Sequence, residues 1–255
     1  MSRLQRRLSL CLVAAAAAVT GCATHMIRLA PVRAAFQRGD VAEADRLLAE
    51  QLERGAGEED LLLLDRAMVT LADGRPADAE RMLRRARDSF DHLARESPAE
   101  EAWSMLDDDD ARAYHGADYE KVLLRGMLAL ANLVQDGDDA EAYSLQVIDE
   151  QRRIVAAAAR PDGTNPKASY RQVALAPYLR GLIREETHRD YDDAARNFRL
   201  VLDWQPDFRP GRVHLARAAE GGHSRRGHGV VHVFALVGHG PFKTEVEEKI
   251  GRAHV

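Results

Sequence analysis

The sequence predicts an all-α chain, a tandem solenoid of helical hairpins that carries a short, incomplete β segment near its C-terminus. Three observations predict this. Glycine-centred turns recur with the same flanking chemistry, apolar residues follow each turn at helical spacing, and a run of β-formers is held back until residues 230–237. With 255 residues, 45% of them hydrophobic and 30% charged, the chain has the composition of an ordinary globular protein. The predicted organisation is a leader over 1–21, a repeat body over 22–220, the start of a small β-rich region over 221–249, and a foreign end over 250–255.

The leader comes first. Arg3, Arg6 and Arg7 precede an apolar run, Leu8 to Val19, relieved only by Ser9, and Val19-Thr20-Gly21-Cys22 follows. This is the pattern of a signal peptide ending in a lipobox. The run is too short to cross the hydrocarbon of a bilayer, which favours a cleaved leader over a permanent helix. The Cys22 thiol would take a diacylglyceryl group as a thioether, and the small Gly21 before it would admit the peptidase. An ordinary secretory leader with a chance cysteine at its end is the competing reading. Against it, the second cysteine, Cys11, lies in the leader, so Cys22 becomes the single mature thiol. A lone exported cysteine without a disulfide partner is better explained by lipidation. At about 0.8 kcal/mol per buried methylene, two or three acyl chains anchor stably where one does not. Ala23 stands where an aspartate would retain the protein in the inner membrane, so the predicted address is the outer membrane, facing the periplasm.

The repeats follow. Gln37-Arg38-Gly39-Asp40-Val41-Ala42-Glu43-Ala44 aligns with Ala72-Asp73-Gly74-Arg75-Pro76-Ala77-Asp78-Ala79 at an offset of 35 residues. Tetratricopeptide repeats run at about 34. In both copies a glycine ends one helix in the left-handed conformation, and an acidic residue or proline opens the next. An alanine five residues after the glycine lets the two helices approach. Leu47, Leu48 and Leu52 then share a face, as do Met82, Leu83, Ala86 and Phe90. A third copy starts at Tyr119, with Leu123, Leu124, Met127, Leu128 and Ala131 ahead of Gly137-Asp138-Asp139-Ala140-Glu141-Ala142. The fourth runs from about Tyr178 through Arg189, which replaces the turn glycine, to Ala194, Phe198, Val201 and Pro206. Inserted segments at Pro98–Asp118 and Ala156–Ser169, the second holding the turn cluster Pro161 to Pro166, separate the later copies.

The segment Tyr114-His115-Gly116-Ala117-Asp118-Tyr119-Glu120-Lys121-Val122-Leu123 resembles the aromatic, glycine, Tyr-Glu-Lys/Arg-Val helix opening of a little-characterised family of bacterial tetratricopeptide-repeat lipoproteins. Ala129-Leu130-Ala131-Asn132-Leu133 and Gly137-Asp138 continue the likeness, whose marker residues are Gly116, Tyr119, Glu120 and Lys121. The resemblance implies an architecture rather than an activity: repeats of this kind present a surface to a protein or peptide.

Beyond Gly229, the residues Val230, Val231, Val233, Phe234, Leu236 and Val237 read as a strand. Gly238, Gly240, Pro241, Lys243 and Glu245 form a turn that is also similar to the family, where it opens a small β-rich region. A lone strand is unstable, so further strands are expected after it. The chain ends instead on Ile250-Gly251-Arg252-Ala253-His254-Val255, which one reading frame of a common sequencing-library adapter encodes. The sequence therefore reads as a C-terminally truncated family member.

The remaining chemistry-bearing residues have plainer readings. His214, His223, His228, His232 and His239 are dense, but their spacing is irregular and no cysteine joins them, so they read as solvated loop histidines rather than metal ligands. Asp107 to Asp110 lack the ligand alternation of a calcium loop. Gly238 to Lys243 departs from a phosphate-binding loop, because Pro241 removes a backbone donor. Glu185-Glu186 and Glu58-Glu59-Asp60 read as surface acids. No catalytic residue, cofactor or metal is predicted. The formal charge is −5, and losing Arg3, Arg6 and Arg7 with the leader makes the mature chain more acidic still, which argues against nucleic acid as a partner. The sequence thus predicts a non-enzymatic, lipid-anchored scaffold of the cell envelope that binds a protein or peptide. The alternative is an enzyme or ligand-binding protein with its site in the C-terminal β region near Lys243 and Glu245.

Overall fold

A computed structural model describes residues 25–55, 59–96, 116–225 and 227–237. The leader, the lipobox residues Val19, Thr20, Gly21 and Cys22, the aspartates Asp107 to Asp110, and the turn Gly238 to Glu245 lie outside the described residues, as does the adapter-like end. After a single turn at His25–Arg28 come α1 (Ala30–Gln37), α2 (Val41–Glu53), α3 (Glu59–Ala72), α4 (Pro76–Glu96), α5 (Asp118–Val134), α6 (Ala140–Ala157), α7 (Leu175–Glu186), α8 (Tyr191–Trp204) and α9 (Arg209–Ala219). The described residues are all-helical, and each helix packs on its sequence neighbour in the runs α1 to α4 and α7 to α9. None of these helices is long and apolar enough to cross a membrane. Of the described residues, those up to 116 with 123–149 form one compact unit, and 117–122 with those from 150 onward form another.

In the first unit the amphipathic pattern sets what is buried. Val32, Ala35, Ala44, Leu48, Leu62 and Val69 share one core cluster, with Leu47 and Leu52 packed at its margin. Leu83, Ala86 and Phe90 of α4 are buried as their spacing predicts, whereas Leu123, expected on the apolar face of α5, is exposed. Gly39 and Gly74 both adopt the left-handed region, with φ of +77° and +73°. The following amides reach back to close each helix end, Asp40 N–H to Ala35 O at 3.0 Å and Arg75 N–H to Thr70 O at 3.1 Å. Asp40 then caps α2 by accepting the Glu43 amide at 3.2 Å.

The third turn has the same closure in a shifted register. Asp136, with φ +59°, takes the left-handed position, and the Gly137 amide closes the helix on Asn132 O at 2.9 Å. Gly137 is therefore a space requirement, not a handedness one: a Cβ there would fall 2.5 Å from Asn132 Nδ2. The next helix also starts two residues later after the left-handed residue than in the first two turns, so Ala142 is exposed and Tyr143 occupies the position where Ala44, Ala79 and Ala194 each pack with zero exposure. In the fourth turn His188, with φ +57°, is left-handed instead of Arg189, and the Thr187 hydroxyl accepts the Asp190 amide at 3.0 Å.

The inserted segment at Ala156–Ser169 is a loop from residue 158 onward, after the last two residues of α6. Asp162 accepts the Thr164 amide at 2.9 Å, and the Asn165 side chain donates to Val155 O at 2.8 Å. Residues 229–237 do not form the expected strand; they have no regular secondary structure. A strand exists only by pairing, and no neighbouring strand is present among the described residues.

Candidate functional site

Two polar clusters and one open cavity merit a functional reading. The marker residues are built into the opening of α5. Gly116 has φ +77°, and a Cβ on it would fall 2.7 Å from the buried Phe90 ring. Glu120, at the third position of α5, reaches back to accept the Ala117 amide at 2.7 Å, half of a capping box. The Tyr119 hydroxyl donates to the same carboxylate at 3.3 Å, and Lys121 is buried. These contacts fix a helix start.

The first polar cluster, in the first unit, centres on Glu80, which is buried against α5 and α6. It accepts the Tyr143 hydroxyl at 2.7 Å and the Asn132 amide at 3.1 Å, and Arg84 approaches the same carboxylate at 3.2 Å. Burial, reinforced by Glu80, holds the Tyr143 phenol above its ordinary pKa and so neutral. Asn132 also receives the Asp139 amide at 2.9 Å, so one network spans the third turn.

The second cluster overturns the reading of Glu185 as a surface acid. Glu185 is fully buried and takes both its oxygens to Arg217, at 2.5 and 2.6 Å. Helical spacing explains the burial, because Tyr178, Gly181, Leu182 and Glu185 lie on one face of α7. His214 and His223 place Nδ1 at 3.9 and 3.8 Å from Glu185 Oε2. The His232 ring stands 5.6 Å from that of His214, and the His188 ring 4.9 Å from that of His223. Burial, then the Arg217 cation, pushes the His214 pKa down to about 4, and the same two causes lower His232. His214 and His232 are thus neutral, and with His223 they pack around the Glu185–Arg217 pair rather than standing as the solvated loop residues expected. His228 is exposed as predicted, and His239 lies outside the described residues. No group of three or more His, Cys, Asp or Glu among the described residues is placed to hold a metal ion.

Beside this cluster an open cavity of about 470 Å³ lies at the start of α7, lined by Arg171, Val173, Leu175, Tyr178, Gln205 and Phe208 among others. Tyr178 and Phe208 meet edge to face at 5.2 Å, which gives the cavity a rigid aromatic wall. Tyr178 also contacts the Phe234 ring of the tail at 6.5 Å. Nothing in the sequence marked this cavity, because its walls come from separate stretches around 171–178 and 205–208. No family model, curated protein or solved structure matches the chain.

Proposed function

We propose that the chain is a lipid-anchored, tetratricopeptide-like scaffold of the cell envelope that binds a protein or peptide segment at its later hairpins. The observation that carries this reading is the succession of helices packed on their sequence neighbours, two of whose turns are left-handed glycines 35 residues apart. That is how a repeat solenoid is built. Membership of the tetratricopeptide-repeat lipoprotein family rests on Gly116, Tyr119, Glu120 and Lys121 together with the lipobox ending at Cys22. The cavity bounded by Tyr178 and Phe208 suits an apolar or aromatic side chain of an extended peptide, and Arg171 at its edge suits a nearby carboxylate. Residues 230–237 read as the first strand of a small β-rich region, because pairing would cover the exposed Val231, Val233, Leu236 and Val237.

Two measurements test the proposal. Cys22→Ala should move the protein from the membrane to the soluble fraction with its helical circular dichroism unchanged; retention on the membrane would sink the anchor. Affinity purification of the wild-type lipoprotein from envelope extracts should return a partner that Tyr178→Ala and Phe208→Ala lose. A partner retained by both variants would remove the cavity from the binding surface.

A further inference from the structure

Residues 229–237 are attached to the second unit in an unusual way. None of them makes a backbone–backbone hydrogen bond among the described residues. What holds the segment is side-chain packing on one side only. His232 packs against His214, and Phe234 packs against Tyr178, while the alternating residues Val231 and Val233 are 87% and 85% exposed. The segment lies on the helices like a strap fastened at two points, and one fastening is a histidine on a histidine.

The charged and titratable groups facing that fastening come from every element around it. From α7 there are Tyr178, Glu185 and the exposed Glu186; from the α7–α8 turn, His188; from α9, His214 and Arg217; and from the segment after α9, His223. From α8 the facing group is the uncharged Phe198 ring, 5.2 Å from His214. Glu185, the buried carboxylate that faces His214 and His223 at 3.9 and 3.8 Å, is already neutralised by its bidentate pair with Arg217. Moreover, His223 Nδ1 and His232 Nε2 are buried without a hydrogen-bond partner. An imidazolium must satisfy two N–H groups, and the docked His232 offers its Nε2 no acceptor. A second positive charge beside Arg217 and His214 would also be repelled in a poorly solvated site.

We propose that residues 229–237 are a pH-released strap: docked through His232 and Phe234 while the histidines are neutral, and expelled when His232 and His214 take up protons. The sign follows from the geometry. A freed His232 returns to water and its ordinary basicity, so the free state binds protons more readily and acid favours release. Release uncovers the face of Tyr178 that Phe234 covers, beside the cavity that Tyr178 helps to line. The strap is independent of whether any partner binds there.

The test uses the full chain with Cys11 and Cys22 changed to serine and spin labels at Val233→Cys and Arg199→Cys, both exposed positions. Electron–electron distance measurements should give one narrow distribution at pH 7.5. Between pH 7.5 and 4.5 the ratio of docked to released strap should fall by about tenfold or more. His232→Gln, which cannot carry the charge and alters only the strap, should keep the narrow distribution at pH 4.5. His214→Gln/His232→Gln should do the same, with circular dichroism confirming that α9 is intact. A wild-type distribution unchanged down to pH 4.5, or one that broadens equally in His232→Gln, overturns the proposal.

Discussion

At the scale of single residues, the second unit depends on one buried charge and one missing methyl. Glu185 is enclosed by α7 and α9 and neutralised by Arg217, 32 residues later in the chain. Removing one member of such a pair leaves an uncompensated charge, so Glu185→Ala should lower unfolding stability by about 3–5 kcal/mol. The double change Glu185→Leu/Arg217→Met should restore most of that in urea titration, because it removes both charges and keeps the volume. Gly181 lies within α7, where alanine would ordinarily raise helix propensity by about 1 kcal/mol. Here a Cβ would fall 2.4 Å from the buried Phe198 ring, so Gly181→Ala should instead destabilise by about 1–3 kcal/mol. The burial of Glu185 was legible in its spacing from Tyr178, Gly181 and Leu182. Its partner was not, since nothing local to residue 185 points to residue 217. The histidines escaped sequence reading for the same reason: irregular spacing along the chain says nothing about which rings a buried ion pair gathers.

At the scale of elements, the helices and the first two turns were legible because their physics is local. A glycine at φ +77° or +73°, followed by a helix start, writes itself into a few adjacent residues. The third turn misled because its glycine answers a different demand. Gly137 makes room for the Asn132 side chain, and the left-handed residue is Asp136. The two positions should therefore respond oppositely. Asp136→Gly relieves the left-handed strain and should stabilise by up to about 1 kcal/mol, net of the entropy that glycine adds to the unfolded chain. Gly137→Ala should destabilise by about 1–3 kcal/mol through the clash with Asn132. If the left-handed residue were Gly137, Asp136→Gly would give no gain. The C-terminal strand is not shown at this same scale: β-forming residues state a propensity, but only a neighbouring strand converts it into structure.

At the scale of the whole molecule, the buried groups set an acid profile with two separated losses. The His214 pKa is about 4 in the folded chain against an ordinary 6.5. The unfolded chain therefore takes up this proton first, and the stability that His214 lends is complete above pH 6.5 and lost as the pH falls towards 4. Over that span the loss should be about 1–3 kcal/mol, and it belongs to the second unit, since His214 and all its named neighbours lie there. Asp45 in the first unit behaves differently. Its carboxylate is held below the ordinary range by Arg66 and Arg75, at 2.5 and 2.7 Å, against the opposing pull of burial. Its contribution is complete above the ordinary aspartate range and lost only as the pH falls below it. Hydrogen exchange resolved by peptide should thus show α7 to α9 losing protection between pH 6.5 and 4 while α2 and α3 keep theirs, after correction for the intrinsic exchange rate. His214→Gln should flatten the first loss and leave the second in place. If both units lose protection together near pH 6, or if His214→Gln does not change the profile of the second unit, the buried histidine cluster is not what governs its acid sensitivity.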